Sequence, residues 1–303
     1  MYRLGSRFLL TIHLVFISLI LTASGLAQSI TPDPQPSPTP QRNPTPTLER
    51  SFVRNLLRDQ RAIWTAPFST EKSDIHWIAP LAVASAALLA TDRRTAGELQ
   101  EPGDHQSRLN LSSDISKGGA FYTTTGIAGA FYLLGRASNN RRARETGILA
   151  LEALIDTGIV TSITKVASQR PRPTIDDASG EFYDKGSSFP SGHAASAWSL
   201  ATVIANEYGR HRPWVQIAAY GGATAVSLAR FTGQNHFLSD VLIGSAIGYG
   251  IGRYVYRTNH DSSLDNQPSE SKPQHNHSKL IPTAFPSYRV SARAYGVQLE
   301  WAF

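Results

Sequence analysis

Between about Ser51 and Tyr256 the chain is a series of long apolar runs, rich in alanine and parted by short polar breaks. Runs of that length exceed an ordinary strand, and alanine favours the helix, so the middle of the chain is predicted to be all-α. A short amphipathic helix is expected near Phe52 to Gln60. Six longer ones follow: Ile75 to Thr91, Gly118 to Leu134, Arg144 to Lys165, His193 to Tyr208, Trp214 to Arg230 and Ser239 to Arg257. The expected fold is therefore a helical bundle of about six long helices with its active site at one end. Gly244, Gly248 and Gly252 recur every fourth residue on the last helix, a bare face that lets a neighbour approach closely.

The flanks read differently. Arg3 and Arg7 precede an apolar stretch from Phe8 to Leu21 and small residues ending at Ala27, the pattern of a secretory signal. An uncleaved membrane anchor is the competing reading, and either one exports the chain, with the periplasm as the expected compartment. Proline at nearly every second position from Thr31 to Thr47 cannot pack a core and predicts an extended tether. The expected organisation is a signal over 1–27, a proline-rich linker over 28–50, the helical domain over 51–257 and a polar tail over 258–303. Within the tail, Tyr288 to Phe303 alternates apolar and polar residues, which predicts a short C-terminal strand or hairpin.

Composition excludes several chemistries. The absence of cysteine removes thiolate nucleophiles, disulfides and thiolate metal sites together. Lys and Arg outnumber Asp and Glu by 29 to 23, so an anionic partner is favoured. No aromatic residues interleave with a basic stripe, which argues against nucleic acid and for phosphate compounds or an anionic membrane surface.

Three clusters sit where apolar helices meet polar loops. Lys165, Arg172 and Pro173 form K-x6-R-P; Pro190-Ser191-Gly192-His193 opens the next helix; Arg230, His236 and Asp240 form R-x5-H-x3-D. A transferring phosphoryl group spreads negative charge over three equatorial oxygens, and Lys165, Arg172 and Arg230 can surround them. Ser191 and Gly192 precede a helix whose free N–H groups favour a bound phosphate. A neutral histidine can attack phosphorus near pH 7 without a metal, and His236 is the candidate, with Asp240 positioned to fix its tautomer. His193 is the candidate general acid, and later the base that activates water. Each cluster alone also fits a plainer role: a solvated helix end for Lys165, Arg170 and Arg172, a helix-start turn at Ser191, an i,i+4 contact for His236 and Asp240.

Taken together, these clusters resemble the tripartite signature of the type 2 phosphatidic acid phosphatase superfamily, which includes lipid phosphate phosphatases, bacterial nonspecific acid phosphatases and vanadium haloperoxidases. The resemblance covers roughly Ile75 to Arg257 and implies phosphate contacts from Lys165, Arg172, Ser191, Gly192 and Arg230, an acid at His193, and a nucleophile and its orienter at His236 and Asp240. One departure is Ala229, where the family usually has serine. The expected activity is hydrolysis of phosphate monoesters, including lipid phosphates or an isoprenoid pyrophosphate, with no metal or other cofactor. A vanadate-dependent haloperoxidase, in which vanadate would be the cofactor, and a non-catalytic lipid-phosphate binder are the alternatives.

Other residues carry weaker signals. His76, His105 and His211 lack motif partners. His260, His275 and His277 lie in a polar stretch where a solvated role is expected, and Glu152 and Asp156 are expected to pair with arginines. For topology, the arginines at 136, 141, 142 and 144 and the exported N-terminus place the same helix end on opposite sides of a membrane. A soluble bundle removes that conflict, and the mean hydropathy of −0.22 favours it.

Overall fold

The computed structural model describes residues 48–69, 71–99, 106–175, 179–210 and 212–265, and the backbone of 283–289 and 294–300. The signal, nearly all of the proline-rich linker, and His105, His211, His275 and His277 lie outside the described residues. The described helices are α1 (Leu48–Thr65), α2 (Ile75–Glu98), α3 (Gln106–Ser116), α4 (Phe121–Ala137), α5 (Arg141–Ser168), α6 (Gly192–Tyr208), α7 (Pro213–Thr232) and α8 (Leu238–Asn259). The all-α expectation holds, and each expected helix is present. Helix α1 is longer than expected and begins inside the last residues assigned to the linker.

Helix α3 is absent from the sequence reading for a physical reason. It buries Ser112 and Ser116, while Leu111 and Ile115 remain exposed. The hydroxyl of Ser112 meets that of Thr232 on α7 at 2.8 Å. A helix that docks through hydroxyls leaves no apolar stripe to read.

Helix α5 is the axis of the bundle. Leu149, Ala150, Ala153, Leu154 and Val160 from α5 pack with Leu200 and Val203 from α6 and with Ile243, Ile247, Ile251 and Val255 from α8. The side chain of Asn140 accepts from Ala143 N–H at 3.0 Å, which starts α5, and Gln169 turns out of it with φ 46°. The glycine stripe works as expected: a Cβ at Gly244, Gly248 or Gly252 would run into the carbonyl oxygens of Ser191, Ala195 and Ser199, so α6 and α8 touch backbone to backbone.

Two described helical segments, 72–98 and 141–168, are long and apolar enough to cross a membrane. They differ in environment: 67% of the apolar window is buried in the second and only 6% in the first. Trp77 and Val83 on α2 are exposed, as are Tyr122, Leu133 and Leu134 on α4.

At the end of the bundle where α5 begins and α6 and α8 finish, His260 is half-buried and paired, not solvated. Its Nδ1 lies 2.9 Å from Glu145 Oε1 and 3.3 Å from Glu207 Oε2, and its ring stacks on Tyr256. Burial opposes its charge, but the two carboxylates prevail and raise His260 to about 10. Arg142 lies 3.5 Å from the other Glu207 oxygen. Glu152 and Asp156 also depart from expectation, since both are buried and Asp156 accepts from Gln60 of α1 at 2.7 Å rather than pairing with an arginine. The C-terminal segment is a separate compact unit. In it β1 (Thr283–Arg289) pairs antiparallel with β2 (Ala294–Glu300), from Thr283 opposite Glu300 to Arg289 opposite Ala294, the expected hairpin.

Replacing Gly248 by valine places a branched side chain against the Ala195 carbonyl, and overpacking of this kind typically costs about 1–3 kcal/mol. We expect Gly248→Val to lower Tm by several degrees in thermal unfolding. Gly222→Ala on α7, where a Cβ meets nothing within 4 Å, should leave Tm level or raise it.

Candidate active site

The C-terminal ends of α5 and α7 and the N-terminal ends of α6 and α8 meet at one end of the bundle. This follows from connectivity, because the loop 169–191 joins α5 to α6 and the loop 233–237 joins α7 to α8. It is fixed by hydrogen bonds between the loops. Ser191 N–H donates to the Asp240 carbonyl at 3.0 Å, and Lys165 Nζ donates to the Ser187 carbonyl at 2.6 Å. Helix dipoles assist: Lys165 and Arg230 occupy the last turns of α5 and α7, where positive charge is favoured, and the amino ends of α6 and α8 add their own positive potential.

The expected site residues come together. Lys165, Arg172, Arg230 and His236 all lie close enough to His193 to act on it electrostatically. Arg230 is buried, and burial together with Arg172 pushes it down to about 10, still charged at neutral pH. The buried atoms Arg230 Nε and Ser191 Oγ have no hydrogen-bond partner among the described residues. Buried polar atoms of this kind are costly, and an oxyanion seated among the three cations would satisfy them. A Cβ on Gly192 would make only ordinary contact, with Lys165 Cε at 3.8 Å, so Gly192 is not required by packing. Gly119 is: a Cβ there would overlap the carbonyl of His193 and Val226.

The pairing of His236 with Asp240 differs from the expected i,i+4 helical contact. Helix α8 begins only at Leu238, with Phe237 extended as its N-cap, so His236 precedes the helix. Asp240 Oδ2 caps the helix by accepting from Phe237 N–H at 3.0 Å and lies 3.7 Å from His236 Nδ1, too long for a hydrogen bond. Ser188 fills the gap, with its hydroxyl donating to Asp240 Oδ2 at 2.5 Å and lying 3.3 Å from His236 Nδ1. With that hydroxyl proton committed to the carboxylate, the oxygen is left to accept from Nδ1–H. This assigns the tautomer and leaves the Nε2 lone pair of His236 available.

Three further residues at the site escaped the sequence reading. Arg170, grouped with the solvated helix end, is 2% exposed and lies between Phe182 and Phe237, with its guanidinium 4.1 Å from the Phe237 ring centre. It donates to Asp240 Oδ1 at 2.6 Å, to Ser239 Oγ at 2.8 Å and to Asp92 Oδ2 at 2.8 Å. Asp92 comes from α2 and Ser188 from the long loop. The signal for Arg170 was in plain sight, two residues before Arg172, but only the fold distinguishes the guanidinium that faces inward.

Both histidines are neutral at pH 7. Burial, then Arg230, His236, Arg172 and Lys165, push His193 down to about 4. Burial also holds His236 near about 4, against the pull of Asp240. Among the described residues, the only close trio of metal-ligand side chains is Glu145, Glu207 and His260, at the other end of the bundle.

An apolar groove of about 690 Å³ opens beside His193, lined by Phe121 from α4, by Ile155, Ile159 and Ile163 from α5, and by Gly192 and Lys165.

The chain is similar to known proteins over part of its length. Residues 146–263 match the family profile of the PAP2 superfamily. A stretch of 69 residues is 41% identical to a lipid A 1-phosphatase of Porphyromonas gingivalis, covering 23% of this chain and 16% of that relative, so only about a sixth of its length is spanned. The crystal structure of the first transmembrane PAP2 type phosphatidylglycerolphosphate phosphatase, from Bacillus subtilis, matches with a TM-score of 0.42 at 20% identity, over 69% of this chain and 94% of that one.

The depressed pKa values have a signed consequence. A histidine folded with a pKa below its unfolded value stabilises the protein above the unfolded pKa, and that stability is lost as pH falls through the folded value. We expect stability to decline from about pH 6.5 towards about pH 4. Inorganic phosphate, by adding negative charge beside His193, should raise its titration point in a histidine NMR experiment.

Proposed function

We propose that the chain, whose residues 146–263 form a PAP2-superfamily segment, is a membrane-associated lipid phosphate phosphatase that works through a phosphohistidine on His236. The observation that carries this reading is the set of buried, unsatisfied donors, Arg230 Nε and Ser191 Oγ, within a ring of cations that also holds a neutral, oriented histidine.

The chemistry follows from the assigned atoms. Lys165, Arg172, Arg230 and the N–H groups at the start of α6 hold the phosphate oxygens. Ser188 and Asp240 hold Nδ1 of His236, so Nε2 attacks phosphorus as the bond to the ester oxygen breaks. The negative charge of the phosphate offsets the cations that keep His193 neutral, which raises its pKa and lets it carry the proton that the departing alkoxide receives. His193, neutral again, then takes a proton from the water that attacks phosphorus. The P–N bond breaks, orthophosphate leaves and His236 is restored. No step calls for a metal.

The lipid preference rests on where the groove lies. It opens on the His193 side, the side from which the leaving group departs, and its walls are isoleucine and phenylalanine. An alcohol with a long apolar body fits there. The likeness to a lipid A 1-phosphatase and the largely exposed apolar stretch of α2 agree with a substrate presented from a bilayer. On this reading α2 lies beside lipid, in place of the soluble bundle that the mean hydropathy of −0.22 favours.

His236→Ala should abolish turnover of every phosphate ester. His193→Ala should lose about 10²–10⁴-fold on alkyl phosphates, the usual worth of a general acid, yet still give a rapid burst of nitrophenolate from nitrophenyl phosphate, which leaves without a proton. A burst in the His236 variant and none in the His193 variant would reverse the assignment. Excess EDTA should leave turnover intact. Ile159→Trp, narrowing the groove, should raise KM for a long-chain lipid phosphate severalfold and leave nitrophenyl phosphate unaffected; an equal effect on both would show that the groove does not hold the alcohol.

A further inference from the structure

The histidine and its aspartate are held by a second set of charges that lies outside the three signature clusters. Arg170 is among the largest fully buried side chains described, and among the described residues its guanidinium donates from Nη1 to Asp240 Oδ1 and Ser239 Oγ, from Nη2 to Asp92 Oδ2, and from Nε to the Gly180 carbonyl at 2.9 Å. Asp92 also accepts from the Ser239 backbone N–H at 3.2 Å and from its hydroxyl. It therefore holds the first turn of α8, the turn that carries Asp240. On α2 Asp92 is 2% exposed, on a helix whose apolar window is otherwise almost uncovered. A buried charge on such a helix needs a specific reason, and the structure supplies one.

We propose that Arg170 and Asp92 are positioning residues for the nucleophile: Asp92 aims the Arg170 guanidinium, Arg170 holds the Asp240 carboxylate ionised and in place, and Asp240 acts through Ser188 on His236. The chain of contacts runs Asp92, Arg170, Asp240, Ser188, His236, so a residue of α2, outside the 146–263 segment, bears on the reacting nitrogen without touching substrate. This rests on the reading of His236 as nucleophile.

Charge explains why the outer pair is needed. Asp240 is fully enclosed, and burial alone would favour its neutral form; Arg170 first, then the neighbouring His236 and the hydroxyl of Ser188, keep its carboxyl below the usual carboxylate range. The charged or titratable groups acting on it are Arg170 from the loop after α5, His236 from the loop before α8, Lys165 from α5, and Asp92 of α2 through Arg170. Without Arg170, two buried carboxylates face each other across Ser239 and one takes a proton. A protonated Asp240 is a neutral and weaker acceptor for Ser188 and Phe237, and the imidazole is held less firmly in its orientation.

The test uses the full-length protein with Arg170→Gln, Arg170→Lys, Asp92→Asn and the double Asp92→Asn/Arg170→Gln, each checked by thermal unfolding. We expect Arg170→Gln to lower kcat roughly 10–100-fold, the range typical of losing an outer partner, with KM and vanadate inhibition near wild type because the phosphate cations are intact. The acidic limb of its kcat–pH profile should move to higher pH. Arg170→Lys, which keeps the charge without the fork, should return that limb towards wild type. Asp92→Asn should lower kcat at unchanged KM, and the double variant should match Arg170→Gln within about twofold, since residues acting in series do not add. The double variant also removes both charges of the pair and is the form to assay should Arg170→Gln not fold. Wild-type kcat and pH profile in the folded variants overturn the proposal, as do effects that simply multiply. Turnover that survives His236→Ala would instead sink the nucleophile assignment itself.

Discussion

Like charges forced together are the constraint around which this site is organised. Lys165, Arg172 and Arg230 all lie close enough to His193 to act on it, and they add to the burial that makes it neutral. Such a cluster is unfavourable before substrate arrives and is tolerated because the surrounding structure over-determines it. The carbonyls of Ser187 and Ser188 face Lys165, the last turns of α5 and α7 offer negative dipole ends, and Asp240 contributes a full negative charge from below. On the function proposed above, an anion finds its ligands already ordered, which is where the catalytic advantage of a preorganised site arises.

The sequence revealed more of the site than of its support. The catalytic clusters were readable because their residue types are unusual at the ends of apolar helices, and the fold brings every one of them together. Arg170 and Asp92 were not, because a buried guanidinium and a surface guanidinium look alike in a sequence, and Asp92 stands among the ordinary polar residues ending an apolar run. Ser188 was hidden for another reason. Its role exists only because α8 starts two residues after His236, a matter of backbone geometry that the spacing of His236 and Asp240 does not disclose. Helix α3 lacked any apolar periodicity, whereas the glycines of α8 announced their close contact because nothing but backbone proximity calls for such a repeat.

Helix α2 shows how composition and environment separate. It and α5 are comparable in length and hydropathy, yet one is the axis of the bundle and the other, although Leu81 and Ala82 pack on the core, has very few fully buried residues in its apolar stretch. A helix in that position would gain little by packing on the bundle if lipid already surrounds it, since hydrocarbon and leucine are equivalent neighbours. Its polar contact through Asp92 then contributes specificity, fixing rotation and depth where apolar packing cannot.

The bond from Ser191 N–H to the Asp240 carbonyl joins the first turns of α6 and α8, the two helices already pressed together along the glycine stripe. The placement of His193 relative to His236 is therefore set by the main chain, as if machined into a frame, while the isoleucine and phenylalanine walls of the neighbouring groove are side chains of α4 and α5. Bond-making geometry and substrate choice thus reside in different materials. An engineer could recut the groove for a bulkier or shorter alcohol with isoleucine substitutions alone, and the reacting distance would not register the change.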